Sequence, residues 1–90
     1  MLYVALCKVK AGTMEERIAR RLNFQHSEGV RVVAEVALMT EDPEVIIIFE
    51  TESIAPMMSI ADTWNDLYEV NIFPAINIED ALEMFKQAMG

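Results

Sequence analysis

Hydrophobic and polar residues alternate over four stretches of the chain, and this period of two predicts four β-strands. In residues 2–9 both sides are mostly apolar, which indicates an interior strand covered on two faces. Residues 30–40 and 45–51 flank a proline-containing turn, and this order predicts an antiparallel pair. The fourth stretch covers residues 70–76, where Pro74 predicts an edge strand because its nitrogen cannot donate to a neighbouring strand.

A helix is predicted directly after the first strand. Thr13 and Glu16 have the spacing of a capping box, in which each side chain satisfies a backbone N–H of the first turn. The apolar residues of this segment follow a helical period and are expected to face the core: Met14, Ile18, Ala19 and Leu22. The helix also carries three arginines, which lie off that stripe: Arg17, Arg20 and Arg21.

Two more helices are predicted in the second half of the chain. Ser53 can cap the first, which tolerates Pro56 in its first turn, and Asn77 can cap the second. The first has the clearest helical stripe in the chain: Met57, Ile60, Ala61, Trp64, Leu67 and Tyr68. The apolar residues of the terminal helix are Ala81, Leu82, Phe85, Ala88 and Met89.

The order of these elements predicts an α+β fold of the ferredoxin-like type. A βαββαβ sequence forms an antiparallel sheet with two helices on one face, here followed by a C-terminal helix. No linker or internal repeat interrupts the pattern, so residues 1–90 are expected to form a single domain. The other face of the sheet is left uncovered.

Composition makes that uncovered face important. The chain is 53% hydrophobic although it carries a formal net charge of −8. A domain of this size buries only about 60–65% of its unfolded surface, so the surplus of apolar residues indicates a contact between subunits. The sequence pI near 4.4 argues against a nucleic acid or an anionic membrane as partner. Residues 1–31 carry a net charge of +3 and residues 32–90 a net charge of −11.

The sequence contains no sign of export or membrane insertion. No apolar run approaches the roughly 18 residues of a membrane span, and the N-terminus lacks the basic segment and cleavage site of a signal peptide. The single Cys7 cannot form a disulfide within the chain. A cytoplasmic location is therefore expected.

Four segments of the chain resemble a family of small archaeal and bacterial domains of unknown function. They are residues 29–35, 46–52, 63–67 and 73–75. The resemblance places the chain in the dimeric α/β-barrel superfamily, which also contains small monooxygenases, haem-handling enzymes, muconolactone-isomerase-like proteins and stress-response dimers. It implies that two uncovered sheet faces pack into a barrel, which would bury Ala5, Cys7, Val33, Ala37, Met39, Ile46, Ile48, Phe73 and Ala75. The motifs are structural, so no catalytic residue is carried over.

We expect a ligand site on the uncovered face, where polar and aromatic residues interrupt the apolar ones: Tyr3, Arg31, Glu35, Glu50 and Phe73. If a turn of four residues joins the second and third strands, Glu35 lies directly opposite Glu50. Two opposed carboxylates raise the pKa of one of them and can shuttle a proton or hold a cation. Alternatively, both face solvent or pair with Arg31 or Lys8 of a neighbouring subunit.

The remaining candidates favour structural explanations. His26 lies in a polar connection with no carboxylate near it in sequence, so a surface histidine is expected rather than a haem ligand. Cys7 is expected to be a small core or interface residue. Glu16 and Arg20 have the spacing of a helix ion pair, which predicts an exposed, charged helix face, although the arginines could also bind an anion. No catalytic set, metal cluster or nucleotide motif is present, so no cofactor or metal is predicted.

These patterns predict a homodimer or higher oligomer formed through the uncovered sheet face. A small-molecule-binding or regulatory protein with a small organic ligand fits best, with neither nucleic acid nor membrane as partner. One alternative is a cofactor-independent enzyme of monooxygenase or isomerase type, in which Glu35 or Glu50 acts as base while Tyr3 and Arg31 orient a small organic acid. The other is a purely structural assembly subunit.

Overall fold

The computed structural model describes residues 1–90 and contains a four-stranded antiparallel sheet with three helices. The elements in chain order are β1 (Leu2–Val9), α1 (Met14–Leu22), β2 (Arg31–Ala37), β3 (Val45–Glu50), α2 (Ala55–Trp64), β4 (Tyr68–Ala75) and α3 (Ile78–Met89). The order of strands across the sheet is β2-β3-β1-β4. This confirms the α+β class, and the order is compatible with a ferredoxin-like fold.

Strands β1 and β3 form the interior of the sheet. Ala5 of β1 lies opposite Ile47 of β3 on one side and Ile72 of β4 on the other. Strand β4 is an edge strand and contains Pro74, as predicted, and β2 forms the opposite edge. The sheet therefore leaves two edges without a neighbouring strand.

The hydrophobic core lies between the sheet and the helices. It consists of eight buried residues: Ala5, Cys7, Ile47, Phe49, Ile60, Trp64, Leu67 and Tyr68. The expected position of Ala5 and Cys7 on the uncovered face is wrong, because their side chains point to the helices and Leu2, Val4 and Leu6 alternate with them on the other side. The same holds for Ala37, which lies opposite Val45 on the side of Cys7. The predicted stripe of the second helix is confirmed for Met57, Ile60, Ala61 and Trp64, whereas α2 ends at Trp64, Leu67 lies in the following turn and Tyr68 opens β4.

The other face of the sheet is apolar and carries no helix of its own chain. Val4 lies opposite both Ile48 and Phe73, so the three side chains share this face. Its other large apolar members are Leu2, Leu6 and Ile46. Phe73 is 52% exposed and the β1 and β3 residues are half-buried. We call these six residues the uncovered face.

The register of β2 and β3 differs from the predicted one. Arg31 lies opposite Glu50, and Glu35 lies opposite Ile47, so the expected Glu35–Glu50 pair is wrong. The Leu38 N–H donates to the Glu44 carbonyl at 2.7 Å, so the hairpin continues beyond the two strands and residues 39–43 form the turn in place of the expected 41–44. The turn also bonds to β1: the Glu41 carbonyl accepts from the Val9 N–H at 2.8 Å, and the Glu44 N–H donates to the Cys7 carbonyl at 2.9 Å. A bulge at Val33 shifts the pairing of β2 with β3 by one further residue.

The face of α1 that packs against the sheet differs from the predicted one. The Thr13 hydroxyl accepts from the Glu16 N–H at 3.2 Å, which confirms the predicted N-terminus. Its one buried residue, however, is Arg17 at 6% exposure. The stripe expected in the core is exposed: Met14 at 59%, Ile18 at 52% and Leu22 at 80%. The inward face of α1 is occupied instead by arginines with carboxylate partners beneath the helix.

Helix α3 extends away from the rest of the chain. Asn77 caps it as predicted by accepting from the Glu79 N–H at 2.9 Å. No residue of α3 is buried, and its backbone is not packed closely against any other helix or strand. This projection contributes to an elongated shape of 52 × 28 × 17 Å.

Candidate functional site

A cavity of about 510 Å³ lies between α1 and the sheet. Most of its wall is apolar and consists of Cys7, Met14, Ile18, Val36, Ala37, Leu38, Met39, Val45, Ile47, Trp64 and Tyr68. Two arginines and two glutamates complete it: Arg17, Arg21, Glu35 and Glu44. The cavity exists because long arginine side chains, rather than apolar ones, span the distance from α1 to the sheet. Its volume falls within the range of small-ligand sites, roughly 300–1,000 Å³.

At one end of the cavity Arg17 forms a buried ion pair with Glu44. Arg17 donates from Nε to Oε1 at 3.1 Å and from Nη2 to Oε2 at 3.3 Å, and its Nη1 donates to the Gly12 carbonyl at 3.1 Å. The Tyr68 hydroxyl donates to the same carboxylate at 2.6 Å. The side chains of Arg17 and Glu44 are only 6% and 16% exposed. Each of the three guanidinium nitrogens of Arg17 therefore has a partner within the chain.

This network determines the protonation of its members. Burial alone would raise the pKa of Glu44, but the hydrogen bonds from Tyr68 and Arg17 outweigh it and hold that pKa below its ordinary value. Burial, together with the hydrogen bond to the carboxylate, raises the pKa of Tyr68. At neutral pH Glu44 is therefore ionised and Tyr68 is protonated.

The C-terminal end of α1 carries a second cluster, which is centred on Glu35. Nη2 of Arg21 contacts Oε2 of Glu35, and the other oxygen, Oε1, lies 3.2 Å from Nε2 of His26. Burial, followed by the positive charge of Arg21, lowers the pKa of His26, so the imidazole is neutral at pH 7 and Nε2 donates to the carboxylate. Nδ1 of His26 is buried without a partner. The guanidinium of Arg21 also lies 5.2 Å from the centre of the Phe24 ring.

The expectation of a plain surface histidine is therefore wrong. The side chain of His26 is 17% exposed, and its ring meets the edge of Phe24 with 4.8 Å between centroids. No signal in the sequence joins His26 to Glu35, because the contact depends on how the connection before β2 packs. The separation of nine residues matches no helix or strand period.

Arg20 links α1 to α2 outside the cavity. Its two terminal nitrogens donate to the Asp66 carboxylate at 2.5 and 2.9 Å, and Nη1 also donates to the Thr63 carbonyl at 3.0 Å. Its guanidinium carbon lies 5.7 Å from the centre of the Trp64 ring. Each arginine of α1 thus has its own carboxylate in another part of the chain, and the expected Glu16–Arg20 pair is not formed. Arg17 is buried, whereas Arg20 and Arg21 stay partly exposed, as expected for a charged helix face. A sequence signal was present: three arginines in five residues precede a strongly acidic remainder of the chain.

Cys7 lies in the floor of the cavity. Burial raises the pKa of its thiol to about 11, so the sulfur is protonated at neutral pH and is a poor nucleophile. The prediction of a small core residue is confirmed by its 3% exposure.

The residues predicted to form one ligand site are distributed over two faces of the sheet. Glu35 lines the cavity, and Tyr3 lies on the same side, with its ring centroid 5.8 Å from that of Phe49. Arg31 and Glu50 form an ion pair on the other side, with 2.7 Å between Nη2 and Oε1, and their side chains are 68% and 43% exposed. Phe73 belongs to the uncovered face and lies opposite β1 rather than near β2. The structure brings together Arg31 and Glu50, and it separates both from Glu35.

The sequence matches a family described as a domain of unknown function over residues 1–89. The chain belongs to the DUF3303 family. No match was found among the curated proteins or among the solved structures. In this DUF3303 domain no helix has both the length and the apolar character needed to cross a membrane.

The electrostatics of the DUF3303 domain limit what its cavity can do chemically. Glu50 is ionised, because the hydrogen bond from Arg31 holds its pKa below its ordinary value. Glu44 is ionised as well, whereas Cys7 and Tyr68 are protonated. His26 lies behind Glu35 and does not line the cavity; the Nδ1 of its neutral imidazole is buried and carries neither a proton nor a partner.

Proposed function

We propose that this DUF3303 domain is a homodimeric small-molecule-binding protein. Two copies pack through their uncovered faces, as in a dimeric α/β barrel, and each copy binds a small organic ligand in the cavity beneath α1. The observation that carries the proposal is the cavity itself, which combines about 510 Å³ of space, mostly apolar walls and the guanidinium of Arg21. This combination is typical of ligand sites.

The exposed area supports the second copy. The chain exposes 6371 Å², whereas a compact monomer of 10.2 kDa exposes about 5,300 Å². The excess of about 1,000 Å² is comparable to the roughly 800 Å² that each partner buries in a standard interface. The radius of gyration of 15.0 Å likewise exceeds the value of about 12 Å expected for a chain of this length.

The uncovered face also has the composition of an interface. Its centre consists of aliphatic side chains and Phe73, and the Arg31–Glu50 ion pair lies towards one edge. An apolar centre with charged groups at its margin is the usual arrangement in homodimers.

The polar groups of the cavity indicate the chemistry of the ligand. Each nitrogen of Arg17 already donates to a partner within the chain, so this guanidinium is held by Glu44 and Gly12 rather than offered to a ligand. Arg21 contacts Glu35 through Nη2 and makes no other hydrogen bond, which leaves Nε and Nη1 to meet an oxygen acceptor. A small aromatic or aliphatic molecule with one carboxylate or carbonyl group fits these donors and the apolar wall.

One observation favours an enzyme as a second candidate. The hydrogen bond between His26 and Glu35 orients the carboxylate. Of the groups considered as bases from the sequence, Glu35 alone lines the cavity, so Glu35 would be the base in an acid–base reaction on a small organic acid and His26 would position it. Exchange of the ligand's acidic carbon-bound protons for deuterium, lost in Glu35→Gln, would support this candidate.

A thermal-shift screen tests the binding proposal. Small carboxylic acids, such as benzoate and hexanoate, are expected to raise the melting temperature of the wild type, since a ligand at 100 times its Kd stabilises a protein by about 2.7 kcal/mol. Arg21→Met should abolish the shift. Arg31→Met, which removes an arginine on the other side of the sheet, should retain it. The absence of a shift for every compound would contradict the proposal and favour a structural assembly subunit.

A further inference from the structure

We infer that α3 is exchanged between two copies of the chain: it packs on α1 of the partner and closes the mouth of the partner's cavity. This inference rests on the proposed homodimer. It is independent of which ligand the cavity holds.

The first observation is that α3 has no place to pack on its own chain. Its apolar side chains line one face of the helix and are strongly exposed: Ile78 at 69%, Leu82 at 60%, Phe85 at 66% and Met89 at 87%. The opposite face carries Glu79, Glu83 and Gln87. An isolated helix of this length is only marginally stable in water, so a well-formed α3 requires a surface to cover its stripe.

The second observation is an exposed stripe of matching shape on α1. Met14, Ile18 and Leu22 extend over about 12 Å of helix, and the α3 stripe over about 16 Å. Met14 and Ile18 also line the cavity, beside Leu38 and the fully exposed Met39. A helix placed on this stripe therefore covers the entrance to the cavity as well.

The third observation is that the helices carrying the two stripes lie at opposite edges of the sheet. Helix α3 follows β4 after only two residues, whereas α1 contacts Glu35 of β2 at the opposite edge. Three strand spacings, about 14 Å, separate these edges, and α3 extends away from the sheet. A chain therefore does not place its own α3 on its own α1.

Face-to-face pairing of two sheets resolves this separation. A twofold axis that runs along the strands places β4 of one copy beside β2 of the other. Helix α3 then begins about 10 Å below the partner's edge strand β2, and its length of about 18 Å carries it past that edge to α1 on the other side of the sheet. The packing of α3 on the partner thus extends the interface proposed for the uncovered face. Together the two contacts would bury the excess of exposed area in the single chain.

Amide hydrogen exchange followed residue by residue tests this arrangement. In the wild type at dimeric concentration, the α3 amides are expected to exchange about 100-fold or more slowly than in an unprotected peptide, and dilution to monomer should remove that protection. Leu82→Glu on α3 and Leu22→Glu on α1 should each remove it. Both positions are exposed within the chain, so neither change disturbs its own core.

A matched variant introduces the same charge on the outer face of α3. Gln87→Glu lies opposite the α3 stripe and should keep the protection. Light scattering on the same samples separates the two proposals. A dimeric mass with unprotected α3 amides, or with protection that survives Leu22→Glu, would overturn the proposed packing of α3 on the partner. The proposed homodimer would still hold in that case. A monomeric mass for the wild type would overturn both.

Discussion

The buried ion pair beneath α1 makes a strong prediction about stability. Arg17→Met fills much of the same space but leaves the Glu44 carboxylate with the Tyr68 hydroxyl as its one side-chain donor. Removing one partner of a buried ion pair costs about 3–5 kcal/mol. Because Glu44 keeps that hydrogen bond and is 16% exposed, we expect a value near the lower limit, about 3 kcal/mol.

That loss is large compared with the total stability of a domain of this size. At about 0.05–0.15 kcal/mol per residue, a domain of 90 residues unfolds with about 5–13 kcal/mol. A loss of about 3 kcal/mol corresponds to a fall of about 12–24 °C in melting temperature. Urea unfolding measures the loss directly, because the single Trp64 is buried and its fluorescence reports on the core.

Two further variants show whether the cost comes from the buried charge. Lys10→Met removes an exposed cation that donates to the Asn65 carbonyl, and it should change stability by less than about 0.5 kcal/mol. Adding Glu44→Gln to Arg17→Met removes the unpaired charge and should recover about 1–2 kcal/mol. Equal losses for Arg17→Met and Lys10→Met, or no recovery in the double variant, would refute the reasoning.

Three other predictions concern pH and assembly. The folded-state pKa of Glu44 lies below its ordinary value of 4.5. The contribution of ionised Glu44 to the free energy of unfolding is therefore complete above pH 4.5 and disappears as the pH falls through the lowered pKa. Urea midpoints should show that the stability difference between wild type and Glu44→Gln becomes smaller in this acid range. The pKa of His26 is lowered from 6.5, so the unfolded chain takes up the proton first and the wild type loses stability below about pH 6.5. His26→Gln should lack that loss when midpoints at about pH 7.5 and pH 5.5 are compared, and an unchanged slope would contradict the assigned burial. Ile48→Asp on the uncovered face should halve the mass measured by light scattering, whereas Met58→Asp, on the outside of α2, should leave it near 20 kDa, twice the chain mass of 10.2 kDa.

The sequence predicted the elements of the fold well, because each is encoded by residues close together in the chain. The capping residues Thr13 and Asn77 and the edge position of Pro74 were all confirmed. These features depend on backbone hydrogen bonds within a few residues. The order of elements then limits the topology to a small number of possibilities.

The face of α1 could not be predicted by the same rule. Helical periodicity assigns the apolar stripe to the core, but the carboxylates that receive the arginines come from distant segments: Glu44 before β3, Glu35 in β2 and Asp66 after α2. Three paired guanidinium groups outweigh a stripe of three apolar residues, and the stripe is left outside. The exposure of this α1 stripe is also one of the observations behind the proposed packing of α3 on a partner.

The candidate site was missed for a related reason. The turn between β2 and β3 covers residues 39–43 instead of the expected 41–44, and this changes the register by which Glu35 was expected to meet Glu50. As a result Glu35 faces α1 and joins Arg21 and His26, whereas Glu50 faces the other side of the sheet with Arg31. A change of register by an odd number of residues moves a side chain to the other face, and periodicity alone does not determine it.

The most direct test of a ligand site beneath α1 is a fluorescence titration with a small carboxylic acid. Trp64 is the single tryptophan and lines the cavity, so its emission reports on occupancy. We expect a saturable change for the wild type and for Arg31→Met, and its loss in Arg21→Met. A titration without saturation, or an identical response in Arg21→Met, would contradict the proposal that Arg21 and the apolar cavity bind an organic ligand.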